Sequence, residues 1–358
     1  MAFDRQSEFS GLRPIGEASR IDLAALQTYM NERVPGFAGP LEAAQFKGGQ
    51  SNPTYRLASP SGRYVLRRKP PGKLLPSAHA VEREFRVISA LHPLGFPVAR
   101  PHVLCEDESI IGTAFYIMDF VPGRVIWEPH VPGVSGPERA AIFAALNATI
   151  AALHQVDHGA AGLADFGRPD GYVARQVRRW SQQYRASQTG TIAEMDRLMA
   201  WLPDAAPESG QHSIVHGDFR LDNCIVDETE PRILAVLDWE LATLGDPIAD
   251  FTYHLMQWRM PTSQTRGGVG SLIGHEDEPG VPRLEDYVER YCERRGLSGI
   301  PDLDIYLAYN FFRLAAIFQG IAGRVRDGTA ANPNAIHMAG QVRPMAEVAW
   351  AYARKAGA

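Results

Sequence analysis

A chain of 358 residues with 45% hydrophobic and 22% charged residues has the makeup of a globular protein, and its length suits two lobes better than one core. The formal net charge of −5 gives no domain-wide basic excess, which argues against a nucleic-acid binder. The three cysteines, Cys105, Cys224 and Cys292, are far apart with no C-x-x-C spacing, so neither a zinc site nor a disulfide framework is predicted.

The opening residues are polar and lack the apolar core of a secretory signal. No run approaches the ~18 apolar residues of a membrane span. Together these features predict a cytoplasmic protein without a membrane partner, with residues 1–25 as a flexible arm.

From residue 41 the chain alternates and turns often. LEAAQFK (41–47), PTYRLAS (53–59) and RYVLRRK (63–69) read as strands separated by the turns GGQSN and SPSG, an antiparallel meander. A Pro-rich break follows. Then SAHAVEREFRVISALH carries Val81, Phe85, Ile88 and Leu91 at helical spacing, with Ser77 as a candidate cap and His92-Pro93 as the stop. Two further strands, RPHVLCE (100–106) and TAFYIMDFV (113–121), complete five strands with one helix.

Beyond Gly123 the pattern is helical: 137–156, 172–186 and 192–202, then 285–296, 303–325 and 344–355. A short apolar strand, RILAVLDWE (232–240), interrupts this run. The Gly-rich segment 261–280 is predicted as a mobile loop.

One stretch concentrates chemistry. His216-Gly217-Asp218-Phe219-Arg220-Leu221-Asp222-Asn223 lies between the apolar triplets Ser213-Ile214-Val215 and Cys224-Ile225-Val226, and fits H-x-D-x-x-x-x-N. Asp238 follows at the end of ILAVL. A hairpin over residues 224–237 would bring Asn223 and Asp238 together at its open end. Phosphoryl transfer needs this set. One carboxylate accepts the proton of the attacking group, while a carboxylate and an amide oxygen hold Mg²⁺ against nucleotide phosphates.

Over residues 41–260 these segments resemble the aminoglycoside phosphotransferase and choline kinase group, which shares the protein-kinase-like fold. VLRRKPPGKLLPSAHAVEREFRV and HGDFRLDNCIVD with VLDWELATLGDPIADF are most similar to a subfamily that includes the kinase-like domains fused to some acyl-CoA dehydrogenases. No segment of the chain resembles the dehydrogenase part.

The resemblance implies an α+β, two-lobe fold. A small five-stranded antiparallel N-lobe with one helix would cover residues 26–121, and a larger, mostly helical C-lobe residues 122–358. It implies ATP and Mg²⁺, with Asp218 as catalytic base and Asn223 and Asp238 as metal ligands. Gly48, Gly49, Gln50, Ser51 and Asn52 stand at the phosphate-covering loop, although they lack a full G-x-G-x-x-G. Arg67 stands where a lysine is usual for the α- and β-phosphates, with Arg68 and Lys69 as alternatives. Glu84 stands at the helix glutamate that pairs with this cation. Glu82 competes, but it lies ~200° away around a helix, so only one of the two can face the site. The segment 117–121, with Asp119 and Val121, stands at the connector whose backbone meets adenine.

Gly217 replaces the arginine of H-R-D, Asp238-Trp239-Glu240 replaces D-F-G, and no A-P-E follows, all of which favour a small-molecule acceptor over a peptide. Glu240 is a candidate for a further metal contact, Asp246 and Asp250 for helix-start and loop-bracing roles, and His216 for a structural one. The subfamily implies a hydroxyacyl acceptor, free or as its CoA thioester; Arg175, Arg178 and Arg179 at helical spacing could meet its phosphates. Competing readings are a nucleotide-binding module without turnover, an aminoglycoside or choline-type kinase, and a metal-dependent hydrolase using His216 and Asp218.

Overall fold

The computed structural model describes residues 5–48, 52–70, 79–207, 210–261, 270–330 and 334–358. The N-terminal lobe runs α1 (Arg5–Phe9), β1 (Leu12–Arg13), α2 (Leu23–Arg33), β2 (Glu42–Phe46), β3 (Thr54–Ser59), β4 (Gly62–Arg68), α3 (Val81–Leu91), β5 (Pro101–Cys105) and β6 (Phe115–Asp119). Its strands form one antiparallel six-stranded sheet, order β1-β2-β3-β4-β6-β5. The five strands expected from the sequence are β2 to β6, and β1 adds an edge.

Side chains alternate across a strand. On one sheet face Tyr55, Leu57, Leu66, Phe115 and Ile117 pack on Leu26 and Met30 of α2. The opposite face takes α3, whose Val81, Val87, Ile88 and Leu91 join the core of the second lobe. In β4 this alternation sends Tyr64, Leu66 and Arg68 towards α2, and Val65 and Arg67 towards the cleft.

Residues 5–25 differ from the flexible arm expected of residues 1–25. Ile21 is buried in the α2 core, and the Tyr55 hydroxyl donates to the Ser19 carbonyl at 2.8 Å. Asp22 caps α2, its carboxylate accepting from the N–H groups of Ala24 and Ala25 at 3.0 Å each. The apolar residues of LAALQTYMNER are spread around the helix, so no periodic stripe announces it.

The second lobe holds α4 (Gly136–Leu153), α5 (Tyr172–Ser187), α6 (Ala193–Ala205), β7 (Ser213–Val215), β8 (Cys224–Val226), β9 (Ile233–Val236), β10 (Thr243–Gly245), α7 (Pro247–Leu255), α8 (Leu284–Arg295), α9 (Leu303–Arg326), α10 (Ala335–Ala339) and α11 (Val342–Lys355). The central helix is α9, against which α5, α7, α10 and α11 pack. It is long and apolar enough to cross a membrane, but 89% of its apolar window is buried within the fold. β8 pairs with β9 and β7 with β10. The three-residue strands are too short for alternation to be read.

Of the segment expected to be a mobile loop, residues 262–269 lie outside the described residues. Residues 270–280 are anchored: Leu272 is buried and donates its N–H to the Gln257 carbonyl at 2.8 Å. The candidate cap Ser77 also lies outside the described residues.

Because Leu26 is fully buried between α2 and the sheet, Leu26→Ala is expected to destabilise the protein by ~2–5 kcal/mol. Urea unfolding measures this, and an unchanged midpoint would mean that α2 does not belong to the core.

Candidate active site

The cleft between the lobes is built around Arg67. Its Nε lies 2.7 Å from Oε2 of Glu84, and its Nη2 is ion-paired with Asp238 and lies 4.0 Å from Glu240. Burial alone would weaken the guanidinium's hold on its proton, but Asp238 and Glu84 outweigh it and move the pKa up. Burial moves the Glu84 pKa up, and the Arg67 cation and two neutral donors oppose that rise. Those donors are Asn52 Nδ2 at 2.7 Å and the Tyr116 hydroxyl at 3.1 Å. Tyr116 is the direct cross-strand neighbour of Arg67, a relation that needs the register of β4 against β6 and so escaped the sequence.

The geometry separates the alternatives. Arg68 points to the α2 face, its guanidinium 5.5 Å from the Tyr55 ring centre. Lys69 pairs with Glu82 at 3.0 Å. Arg67 and Glu84 therefore face the cleft together. Asn52 is placed differently from the phosphate-loop role expected of it. It is fully buried, and besides bonding Glu84 it meets His79 Nδ1 at 2.9 Å. Its neighbours Gly49, Gln50 and Ser51 lie outside the described residues. A Cβ on Gly48 would stand 3.2 Å from the Trp127 ring, so Gly48 permits a close approach there.

The loop from His216 to Asn223 is held from behind by Asp250 of α7. This buried carboxylate accepts the N–H groups of His216 and Gly217 at 2.7 Å each, and meets His154 Nε2 at 3.1 Å. Burial pulls its pKa up, but His154 and the backbone donors prevail and hold it below the usual range. His216 is also buried. Its Nε2–H donates to the Leu237 carbonyl at 2.8 Å, while Nδ1 accepts the Asp218 N–H at 3.2 Å. With both nitrogens occupied, His216 is a scaffold rather than a ligand. Asp246 caps α7 through the Ile248 N–H at 2.8 Å. Gly217 has φ +83°, and a Cβ there would meet Leu241 Cβ at 2.9 Å, so glycine is the residue that fits. Its carbonyl accepts from Arg313 Nη2 at 2.7 Å.

Asp218 projects from this loop with 22% of its side chain exposed. Arg220 Nε lies 3.1 Å from its Oδ1, and Asn223 Nδ2 donates to its Oδ2 at 3.1 Å and to its carbonyl at 2.8 Å. Two acceptors on one side fix the nitrogen of the Asn223 amide there and leave its oxygen for another partner. Arg220 lies inside the motif, yet its pairing with Asp218 was not foreseen; opposite charges two residues apart were the available signal. Tyr253 faces the same carboxylate, and burial followed by Asp218 moves its phenol pKa up.

Asp238 sits at φ 63°, just past β9. The Leu237 N–H bonds the Asn223 carbonyl at 2.8 Å, so the β8–β9 hairpin does bring Asn223 and Asp238 to one end. At the connector the Asp119 carboxylate meets His102 Nε2 at 2.6 Å, and the N–H groups of Asp119 and Phe120 go to the carbonyls of Arg100 and Arg63. The Val121 N–H has no partner among the described residues.

Removing the cation tests the cluster. Arg67→Met leaves Glu84 and Asp238 uncompensated and is expected to cost ~3–5 kcal/mol in urea unfolding. A second test uses His254, which packs on Phe219 of the loop. Burial pushes its pKa from 6.5 down to about 4. As pH falls, the unfolded chain takes up this proton first. The stability it contributes is thus intact above about pH 6.5 and lost between 6.5 and 4. Moving from about pH 7 to about pH 5 should remove ~2 kcal/mol through this group. In His254→Gln, the dependence of stability on pH over this window should be shallower.

Comparison with known proteins matches this architecture. The model of the phosphotransferase enzyme family matches residues 42–299. Acyl-CoA dehydrogenase family member 10 of Mus musculus is 43% identical over 350 residues, 96% of this chain but 32% of that protein; this chain spans about a third of its relative's length. A crystal structure from Ralstonia eutropha, assigned to the aminoglycoside phosphotransferases, is 48% identical with a TM-score of 0.84, covering 94% of this chain and 99% of that one. Spectinomycin phosphotransferase in complex with ADP and spectinomycin, at 13% identity and a TM-score of 0.58 over 93% of this chain and 98% of that one, shares the fold. The chain belongs to the phosphotransferase enzyme family, and its two lobes have the kinase-like fold of the aminoglycoside phosphotransferases.

Proposed function

We propose that this phosphotransferase moves the γ-phosphoryl group of ATP to a hydroxyl of a small molecule, with Asp218 as base. The observation that carries this reading is the setting of Asp218. It is a partly exposed carboxylate on a rigid loop, with the Asn223 amide fixing its orientation. Asp218 takes the acceptor's proton as the hydroxyl oxygen bonds to the γ-phosphorus, the bond from that phosphorus to the bridging oxygen breaks, and ADP leaves. Arg67, held by Glu84, offers a fixed cation to nucleotide phosphates. The Val121 N–H, without a partner among the described residues, offers a donor to adenine.

The hairpin end supplies hard oxygen donors, the Asn223 amide and the Asp238 carboxylate, of the kind magnesium prefers. These two residues would hold Mg²⁺, which when bound neutralises charge on the phosphate oxygens. Arg67 already pairs with Asp238, so the carboxylate is pre-oriented before any cation arrives.

For the acceptor, a hydroxyacyl chain, free or as its CoA thioester, is the reading we favour. Leu241, 42% exposed, stands against Gly217 and offers an apolar surface beside the loop that carries Asp218. Arg178 and Arg179 are exposed on α5. The relative named for the acyl-CoA dehydrogenases supports the same class.

Coupled ATP consumption with Mg²⁺ over hydroxyacyl-CoAs, free hydroxy acids, choline and aminoglycosides tests both levels. Turnover is expected on the hydroxyacyl class, and Asp218→Asn should lower kcat by ~10²–10⁴. Turnover confined to choline or aminoglycosides would overturn the acceptor class. Nucleotide binding without turnover on any acceptor would overturn the enzyme reading in favour of a binding module.

A further inference from the structure

Outside the cleft's nucleotide side, the N-terminal segment makes an unexpected set of contacts. α1 and the turn after it run from the edge of the sheet to the second lobe. On the sheet side, the Lys47 N–H donates to the Gly11 carbonyl at 3.1 Å, and Lys47 Nζ reaches the Ser7 carbonyl at 3.4 Å. On the other side, Gln6 Nε2 donates to the Val125 carbonyl at 2.9 Å, and Gln6 Oε1 accepts the Trp127 N–H at 3.2 Å. The Trp127 indole N–H donates to the Ser10 hydroxyl at 3.1 Å, and its ring packs on Phe9 with centroids 5.0 Å apart.

This strap aims one charge at the loop. Arg5 is 9% exposed, and its Nη2 lies 3.6 Å from Oδ2 of Asp222. Asp222 is itself buried and shares that oxygen with Arg220 Nη2 at 3.5 Å. Arg220 in turn lies on Asp218 at 3.1 Å. Four alternating charges thus connect the first helix to the proposed base: Arg5, Asp222, Arg220, Asp218. Glu128 also acts on Arg5, while Tyr253 and Arg313 face Asp218 from other elements and Asn223 from the same loop.

We propose that Arg5 is a positioning residue for phosphoryl transfer: by holding Asp222 it sets where Arg220 rests, and so the orientation of Asp218. This rests on Asp218 being the base. Without Arg5, the buried Asp222 carboxylate has Arg220 as its cation among the described residues and draws it away from Asp218. The loss falls on the chemical step and not on nucleotide affinity, because Arg5 makes no contact with Arg67, Glu84 or the connector among the described residues.

The test measures ATP hydrolysis with Mg²⁺, water serving as acceptor, together with amide hydrogen exchange across residues 216–224. Arg5→Ala is expected to lower kcat ~10-fold, leave KM for ATP within about twofold, and speed exchange in the loop. Arg5→Lys, which keeps the charge, should restore most of kcat. Asp222→Asn removes the charge that pulls on Arg220, so the Arg5→Ala/Asp222→Asn double variant should recover part of the kcat lost in Arg5→Ala. An unchanged kcat would overturn the proposal, as would loop exchange identical to wild type or an Arg5→Lys variant as slow as Arg5→Ala. Asp218→Asn separates the two levels: if it leaves hydrolysis untouched, the functional reading fails, and exchange alone then decides whether Arg5 braces the loop.

Discussion

A single buried cation organises the cleft. Arg67 is 6% exposed and carries a permanent charge, so the fold must bring it compensation. Glu84 arrives from α3 and Asp238 from the end of β9. The planar fork of arginine serves two carboxylates at once, which a lysine's point charge does less rigidly. Three elements distant in sequence are thereby held at one place: the sheet, its helix and the hairpin of the second lobe. Such a cluster adds little net stability over an apolar core, but it penalises every arrangement in which one partner is missing. That makes it a device for geometry, which is what in-line transfer requires.

The loop opposite is held by a different logic. Its backbone N–H groups are bonded to Asp250, its carbonyl at Gly217 to Arg313, and its histidine to Leu237. These bonds tie down the backbone of the loop, so the side chains of Asp218 and Asn223 stand on a frame held at several points. The role proposed for Asp218, a base that meets a hydroxyl within hydrogen-bond reach, needs this kind of support. The charges that run from Arg220 to Asp222 and Arg5 extend the support to the N-terminal helix.

Much of this was legible from residue order. Strands β2 to β6 show alternation and strong turn residues, α3 shows a helical stripe, and the H-x-D-x-x-x-x-N spacing with Asp238 follows from how a hairpin returns its ends. Other features were not. α2 spreads its apolar residues around its axis, and β1 has two residues, so neither leaves a periodic trace. Asn52 reads as a turn residue beside two glycines, yet it is buried as the bridge between Glu84 and His79. Residues 5–25 read as an arm because their polar character is local, whereas the contacts that anchor them are with residues more than thirty positions away, as for Ser19 with Tyr55.

The sequence by itself determined the family resemblance and the lobe composition, and it named the candidate reactive groups, because motif chemistry depends on residue type at close spacing. Tertiary structure alone decided which of Arg67, Arg68 and Lys69 faces the cleft, that Glu84 and not Glu82 meets it, and that Arg5 reaches the loop of Asp218. The reason is physical. Which way a charge points depends on strand register, helix rotation and the partners that burial demands, and these are set only when distant segments pack together.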